Sequence, residues 1–250
     1  MIFLRSALFN VVFYVNLVIW LIAALPTLAM PRSAFKQVVV WWTATSLWML
    51  RVIAGVRVEI RNAEKIPEGP AIIAAKHQSF LETFVLFARL PDPVIILKRE
   101  LTWFPLLGWY LKKAEMIPID RGARSRALDH ATKRAREEMA KGRQLLIFPE
   151  GTRRAPGAPP AHKSGVAYIY DAVNFPATPV GLNTGLFWPR RQFIRRPGTA
   201  VIEFLDAIPA GLPRQKAFAE ISARIEESSD RLLAEGLSEL GPLAPAISRA

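Results

Sequence analysis

The chain has 250 residues, of which 51% are apolar and 22% charged, with a formal net charge of +12 and no cysteine. That length suits one sizeable domain with its own core, at an apolar content above that of ordinary soluble domains; without cysteine there is no disulfide framework, no thiolate metal site and no Cys-linked acyl intermediate. The cationic balance points to anionic partners, and seven Trp with an apolar N-terminus favour phospholipid over nucleic acid, for which no recognition motif is present.

No acidic residue precedes Glu59, and Ser6 to Pro31 carries no charge at all. This run suits a helix to about Leu25, where Pro26 interrupts it. Twenty such residues reach about 30 Å, enough to cross a bilayer core and more than a usual signal-peptide core. A second uncharged stretch, Gln37 to Leu50 with Trp41, Trp42 and Trp48, reaches only about 21 Å. Arg5 before the first run and Arg32 and Lys36 after it leave the positive-inside rule undecided. Two helices folded back into a single leaflet fit these lengths better than one span plus an interfacial helix. A buried helix pair of a soluble domain would carry the polar face that is missing here.

After Arg51 short β-branched runs alternate with helical segments. Strands are predicted at Val56–Ile60, Ala71–Ala75, Val94–Leu97, Met116–Ile119, Leu145–Phe148, Val180–Asn183 and Val201–Leu205, and helices at Glu82–Leu90, Arg124–Lys141 and Lys216–Leu233. Leu128, Ala131, Ala135 and Met139 line one face of the second helix, and Phe218, Ile221, Ile225 and Leu232 one face of the third. The expected fold is α/β: a mixed central sheet flanked by helices (residues 56–250), preceded by an N-terminal apolar, membrane-embedded helical segment (residues 1–55). Ala155–Ala161 reads as a stiff loop, and the chain after Gly236 as weakly ordered.

Lys76-His77-Gln78-Ser79-Phe80-Leu81-Glu82 directly follows a buried strand. On one continuous helix His77 and Glu82 would lie about 140° apart. Ser79-x-x-Glu82 reads as a capping box, with Ser79 at the N-cap and Glu82 in the first turn, so His77 falls on the preceding loop within reach of the carboxylate. A carboxylate that accepts from Nδ1–H of an imidazole leaves Nε2 free to take a proton from an alcohol. The segment serves equally well as a capped helix beside an exposed loop histidine. Phe148-Pro149-Glu150-Gly151-Thr152-Arg153 ends another strand, where ligands of α/β sheets bind; Arg153 suits a phosphate, and the same residues also make a plain turn with a surface arginine. Met116–Arg121 is a short strand that ends in a cation, and Thr178–Gly185 a strand that runs into a polar turn.

In this order the segments resemble the glycerolipid acyltransferase family, and within it the bacterial 1-acylglycerol-3-phosphate acyltransferases. That family has a His and an acidic residue separated by four residues, a strand ending in Arg, a Phe-Pro-Glu-Gly-Thr-Arg block and a later Pro-containing apolar strand. Here His77 and Glu82, Arg121, Phe148 to Arg153, and Pro179-Val180 hold those places, and the resemblance covers roughly Val56 to Phe204. Glu82 stands where the family usually has Asp.

The resemblance implies direct acyl transfer to the sn-2 hydroxyl of 1-acylglycerol-3-phosphate, giving phosphatidic acid. His77 is the implied base and Glu82 its carboxylate partner. Lys98, Arg121 and Arg153 are implied to hold the phosphate, with Lys163 as a further contact, and Glu150, Gly151 and Thr152 to shape the headgroup site. Acyl-CoA or acyl-carrier protein is the implied co-substrate, with no cofactor and no metal. Lysophospholipid and membrane lipids are the implied partners, at a bacterial inner membrane with the catalytic domain on the cytoplasmic side. A different acceptor (glycerol-3-phosphate, another lysophospholipid or a lyso-ornithine lipid) and a non-catalytic lipid-binding protein are the competing readings. His130 and His162 read as incidental; no Gly-x-Ser-x-Gly elbow, P-loop or dinucleotide fingerprint occurs.

Overall fold

The computed structural model describes residues 1–120, 122 and 124–247. Among these, seven strands form one sheet: β1 (Val56–Arg61), β2 (Ile72–Ala75), β3 (Pro93–Lys98), β4 (Ile117–Ile119), β5 (Gln144–Ile147), β6 (Ala177–Leu182) and β7 (Gly198–Phe204). Their order is β1-β7-β6-β2-β5-β3-β4. Neighbours pair in parallel except β6 with β7, which are antiparallel, so β1 and β7 run against the other five. Every residue of β2, β5 and β6 is buried, as expected of central parallel strands covered on both faces.

Alternate residues of the strands feed two cores. Ile73, Ala75, Ile95, Leu97 and Leu146 face a layer built from α1 (Ile2–Ala23), α2 (Arg32–Met49) and α3 (Leu81–Arg89). Ile72, Ala74, Val94, Leu145 and Ile147 face α5 (Arg124–Met139), α6 (Gly165–Val173) and the first half of α8 (Arg214–Leu240). Two short helices, α4 (Leu107–Lys113) and α7 (Thr184–Phe187), complete the described set. The sheet is thus mixed and flanked by helices, behind an N-terminal apolar helix.

Three differences from the sequence expectation have physical causes. Helices α4, α6 and α7 are short, and α6 hides its Val166, Ile169, Tyr170, Val173 face within nine residues. Helix α8 runs through Gly236 to Leu240 rather than stopping at Leu233. Gly236 marks close packing there, since a Cβ would come 2.7 Å from Leu186 Cδ1 and 3.0 Å from Asn183 Nδ2. Finally, the capping box is displaced: Phe80 is the N-cap, Ser79 Oγ accepts from Leu81 N–H at 3.1 Å, and only the Glu82 half of the box forms.

The N-terminal hairpin lies along the domain. At one end Arg5 Nε donates to Ile53 O (2.7 Å) and Asn10 to Phe193 O (3.1 Å); at the other, Tyr110 OH donates to Leu21 O (2.6 Å) and Tyr110 stacks on Phe35. Helix α2 ends in a wide turn, Leu50–Ala54, closed by left-handed Gly55 (φ +75°). A side chain at Gly55 would press on Arg5 and Pro197. Phe9, Phe13, Trp42 and Leu50 are buried in the sheet-side core, while Leu8, Val11, Val18, Ile19, Trp41 and Trp48 are exposed. Residues Ile2–Ala29 have mean hydropathy 2.3, and this is the one described helix long and apolar enough to cross a membrane.

Candidate active site

Strands β2 and β5 are adjacent and parallel, with Ile72 opposite Leu145 and Ala74 opposite Ile147. Their C-terminal ends therefore deliver Lys76–Glu82 and Phe148–Arg154 side by side, at the carboxyl end of the sheet where α/β folds bind ligands. Both backbone groups of His77 are tied to the second segment: its N–H donates to Glu150 Oε2 (3.0 Å), and its carbonyl accepts from Arg154 N–H (2.8 Å). Gly151 turns the chain at φ +66°, and its missing side chain leaves Lys163 Nζ room, 3.3 Å from where a Cβ would stand.

The His77 ring is fixed from two sides. It stacks on Phe148 with centroids 4.0 Å apart, and Nδ1 lies 2.9 Å from Glu82 Oε1. Glu82 is fully buried. Its Oε1 also accepts from the N–H groups of Gln78 (2.9 Å) and Ser79 (2.7 Å), and Oε2 accepts from Thr184 Oγ1 (2.6 Å). Four hydrogen bonds thus compensate a buried charge. The acceptor oxygen selects the tautomer with the proton on Nδ1, and Nε2 has no partner among the described residues.

His77 lines a cavity of about 900 Å³. Its more exposed lining includes Gly151, Thr152, Arg153, Lys163, Arg190 and Arg191, and its buried lining is apolar, with Ile95, Leu97, Ile147, Val166 and Ile169. None of these four cations pairs with a carboxylate among the described residues. Burial pulls the Arg153 guanidinium below its ordinary value, and the neighbouring Arg190 lowers it further.

Residues 57–183 match the family model described as "Acyltransferase". The chain belongs to the acyltransferase family. It is 35% identical over 217 residues to the 1-acyl-sn-glycerol-3-phosphate acyltransferase of Pseudomonas aeruginosa, across 87% of this chain and 83% of the relative. It is 25% identical to the Saccharomyces cerevisiae protein of the same name, across 83% and 69%. The crystal structure of the 1-acyl-sn-glycerophosphate acyltransferase PlsC from Thermotoga maritima matches with TM-score 0.77 at 19% identity, over 94% of this chain and 97% of that one, which shows the shared fold.

The site residues expected from the sequence of this acyltransferase fall in different places. His77 and Glu82 meet, and Gly151, Thr152, Arg153 and Lys163 share the cavity with His77. Lys98 reaches the cavity wall, but its ammonium pairs with Glu100 at 2.8 Å. Arg121 lies outside the described residues. Glu150, expected to shape the headgroup site, is instead turned into the interior, because its carboxylate is drawn to His77 N–H and to Lys76.

Behind the histidine of this acyltransferase lies a buried charge network that the sequence did not reveal. Lys76 Nζ bonds both Glu226 oxygens (2.5 and 2.7 Å) and lies 3.3 Å from Glu150 Oε1, while His162 Nε2 is 2.6 Å from Glu226 Oε1. Burial pushes the Glu226 carboxyl up, yet the hydrogen bonds from His162 and Lys76 outweigh it and hold the group below the ordinary carboxylate range. His162, read as incidental, has a side chain only 3% exposed. Glu150, His162 and Glu226 bring ligand-type atoms within 4.8 Å of one another, but the Lys76 ammonium already sits against both carboxylates. Thr184, Arg190 and Glu226 lie beyond the matched family segment; Thr184 falls in the polar turn read at Thr178–Gly185 without being tied to Glu82, and the other two carry no local motif.

Proposed function

We propose that this acyltransferase moves a fatty acyl group from an acyl thioester to the sn-2 hydroxyl of 1-acylglycerol-3-phosphate, forming phosphatidic acid at a membrane surface. The names of its relatives support the acceptor. The observation that carries the reading is the buried Glu82 holding His77 Nδ1, with Nε2 unpartnered among the described residues at a cavity whose more exposed lining is cationic and whose buried lining is apolar.

In this mechanism Nε2 takes the hydroxyl proton as the acceptor oxygen bonds to the thioester carbonyl carbon. The C–S bond then breaks and the proton leaves on the thiolate sulfur. Glu82 steadies the imidazolium between these two transfers. A base of this kind contributes about 10²–10⁴-fold, and positioning supplies much of the rest. Arg153 and Lys163 hold the acceptor phosphate, and the apolar lining takes an acyl chain. No cofactor is required, and the thiol carrier is acyl-CoA or acyl-carrier protein.

The hairpin supports a membrane-surface reading. Tied to the domain through Ser6 and Asn10 near one end and Leu21 near the other, α1 runs against protein on one side, as suits helices lying in one leaflet rather than a span surrounded by lipid. Trp103, Phe104 and Trp109, exposed beside the hairpin turn, extend the apolar face. Our reading puts the reaction at a bacterial inner membrane, with the catalytic domain on the cytoplasmic side.

The test is acyl transfer to 1-acylglycerol-3-phosphate in detergent micelles. His77→Ala lowers kcat by at least 10²-fold with folding retained. Glu82→Asp keeps the charge and much more activity than Glu82→Gln. Equal activity of His77→Ala and wild type rules out the mechanism.

A further inference from the structure

Arg190 and Arg191 follow α7, beyond the segment that matches the family model. Arg190 Nη1 donates to Arg153 O (2.9 Å) and Thr152 Oγ1 (3.3 Å), which seats a second guanidinium on the backbone of the Phe148–Arg153 segment. Its Nε is buried without a hydrogen-bond partner among the described residues. Arg191 adopts a left-handed backbone (φ +56°), a conformation that costs a non-glycine residue energy and concentrates at functional sites. Both line the cavity that holds His77 and Arg153.

Arg190 and Arg191 crowd like charge against Arg153 in the empty site, and an anionic ligand relieves it. One guanidinium suffices for a phosphodiester monoanion. Two, with Lys163 beside them, match the second charge and third free oxygen of a phosphate monoester.

We infer that Arg190, supported by Arg191, is a headgroup-selecting residue that completes a clamp for a phosphate monoester dianion and sets the preference for acceptors ending in a bare phosphate over phosphodiester headgroups. This rests on the acceptor reading above. The anion is assigned to the acceptor rather than the thioester donor because Arg190 is anchored on Thr152 and Arg153, in the cavity that His77 lines.

The experiment compares wild type, Arg190→Gln, Arg190→Lys and Arg191→Gln on 1-acylglycerol-3-phosphate and on 1-acylglycerol-3-phosphoglycerol, with the acyl thioester varied separately. In Arg190→Gln, kcat/KM for the monoester falls about 10- to 100-fold, mainly through KM. Activity on the diester changes less than about threefold, which also reports an intact fold, and the KM for the thioester holds. Arg190→Lys and Arg191→Gln fall between. Wild-type monoester KM rises below about pH 6, as the phosphate dianion takes up a proton, and Arg190→Gln flattens that rise. Equal losses on both acceptors, or a shift in thioester KM instead, overturn the inference. A calorimetric arm separates it from the catalytic reading: His77→Ala binds 1-hexanoylglycerol-3-phosphate and His77→Ala/Arg190→Gln does not. Binding lost with Arg190 in a protein without transferase activity keeps the clamp and sinks the reaction; unimpaired transfer in Arg190→Gln does the reverse.

Discussion

Thr184→Val isolates the outermost support of the histidine. Thr184 and Glu82 are both fully buried, and the hydroxyl is the partner of Glu82 Oε2 at 2.6 Å. Valine has nearly the same shape, so the exchange opens no cavity; it removes a donor and leaves a charged oxygen without a partner, at a cost of about 2 kcal/mol. For a domain of this size that lowers the melting temperature by roughly 4–8 °C. Oε1 keeps its three donors, so the carboxylate stays near His77, and activity falls less than in Glu82→Gln. The assay is a thermal melt with acyl-transfer kinetics in wild-type and Glu82→Gln backgrounds. If Thr184 acts through the carboxylate, the valine costs less than half as much once Glu82 is neutral. Equal losses in both backgrounds would refute the reasoning.

The other two predictions concern the buried charges and the lipid face. Glu226→Gln loosens Lys76 and, through Glu150, the backbone of His77, so kcat falls roughly 10- to 100-fold with both KM values little changed. Because the folded-state pKa of Glu226 is depressed, the stability it contributes is present above the ordinary value of 4.5 and is lost as pH falls through the lower folded value. Melting profiles of Glu226→Gln therefore lose part of the acid slope below pH 4.5 and keep the neutral plateau flat. Replacing exposed Leu8, Val11 and Ile19 by Ser leaves the melting temperature nearly unchanged, as surface substitutions do, and weakens co-flotation with anionic phospholipid vesicles.

The sequence exposed what local chemistry encodes. Central strands such as β2 and β5, buried on both faces, read as apolar runs, and the Ser79–Glu82 spacing announced a helix start that bends His77 back onto its carboxylate. Even there the cap fell one residue later, because Glu82 gathered the Gln78 and Ser79 N–H groups around the oxygen that holds the histidine. What stayed hidden comes from distant chain. Thr184 is 102 residues from Glu82, Glu226 is 150 from Lys76, and Arg190 is 37 from Arg153. Glu226 follows Ile225 on an amphipathic helix and reads as solvated. Only the position of α8 against β6 turns it inward.

The same long-range packing makes the apolar hairpin a support of the candidate site. Phe13 meets Phe80 and Phe84 at 6.4 and 6.5 Å, and Trp42 meets Phe84 at 4.9 Å, so the hairpin braces the helix that carries Glu82. Phe9 and Phe13 hold Trp188 edge-on at 5.2 and 5.0 Å, two residues before Arg190. Arg195 covers Trp188 at 4.8 Å and is itself bonded to Asn10 and Ser6. The face of α1 turned to the protein thus supports the histidine's carboxylate and the cationic loop, while the opposite face is apolar and exposed. Removing the hairpin would strip both supports together, so loss of activity on truncation says nothing about lipid. Only substitutions on the outer face, which touch neither Trp188 nor α3, separate the anchor from the site it holds.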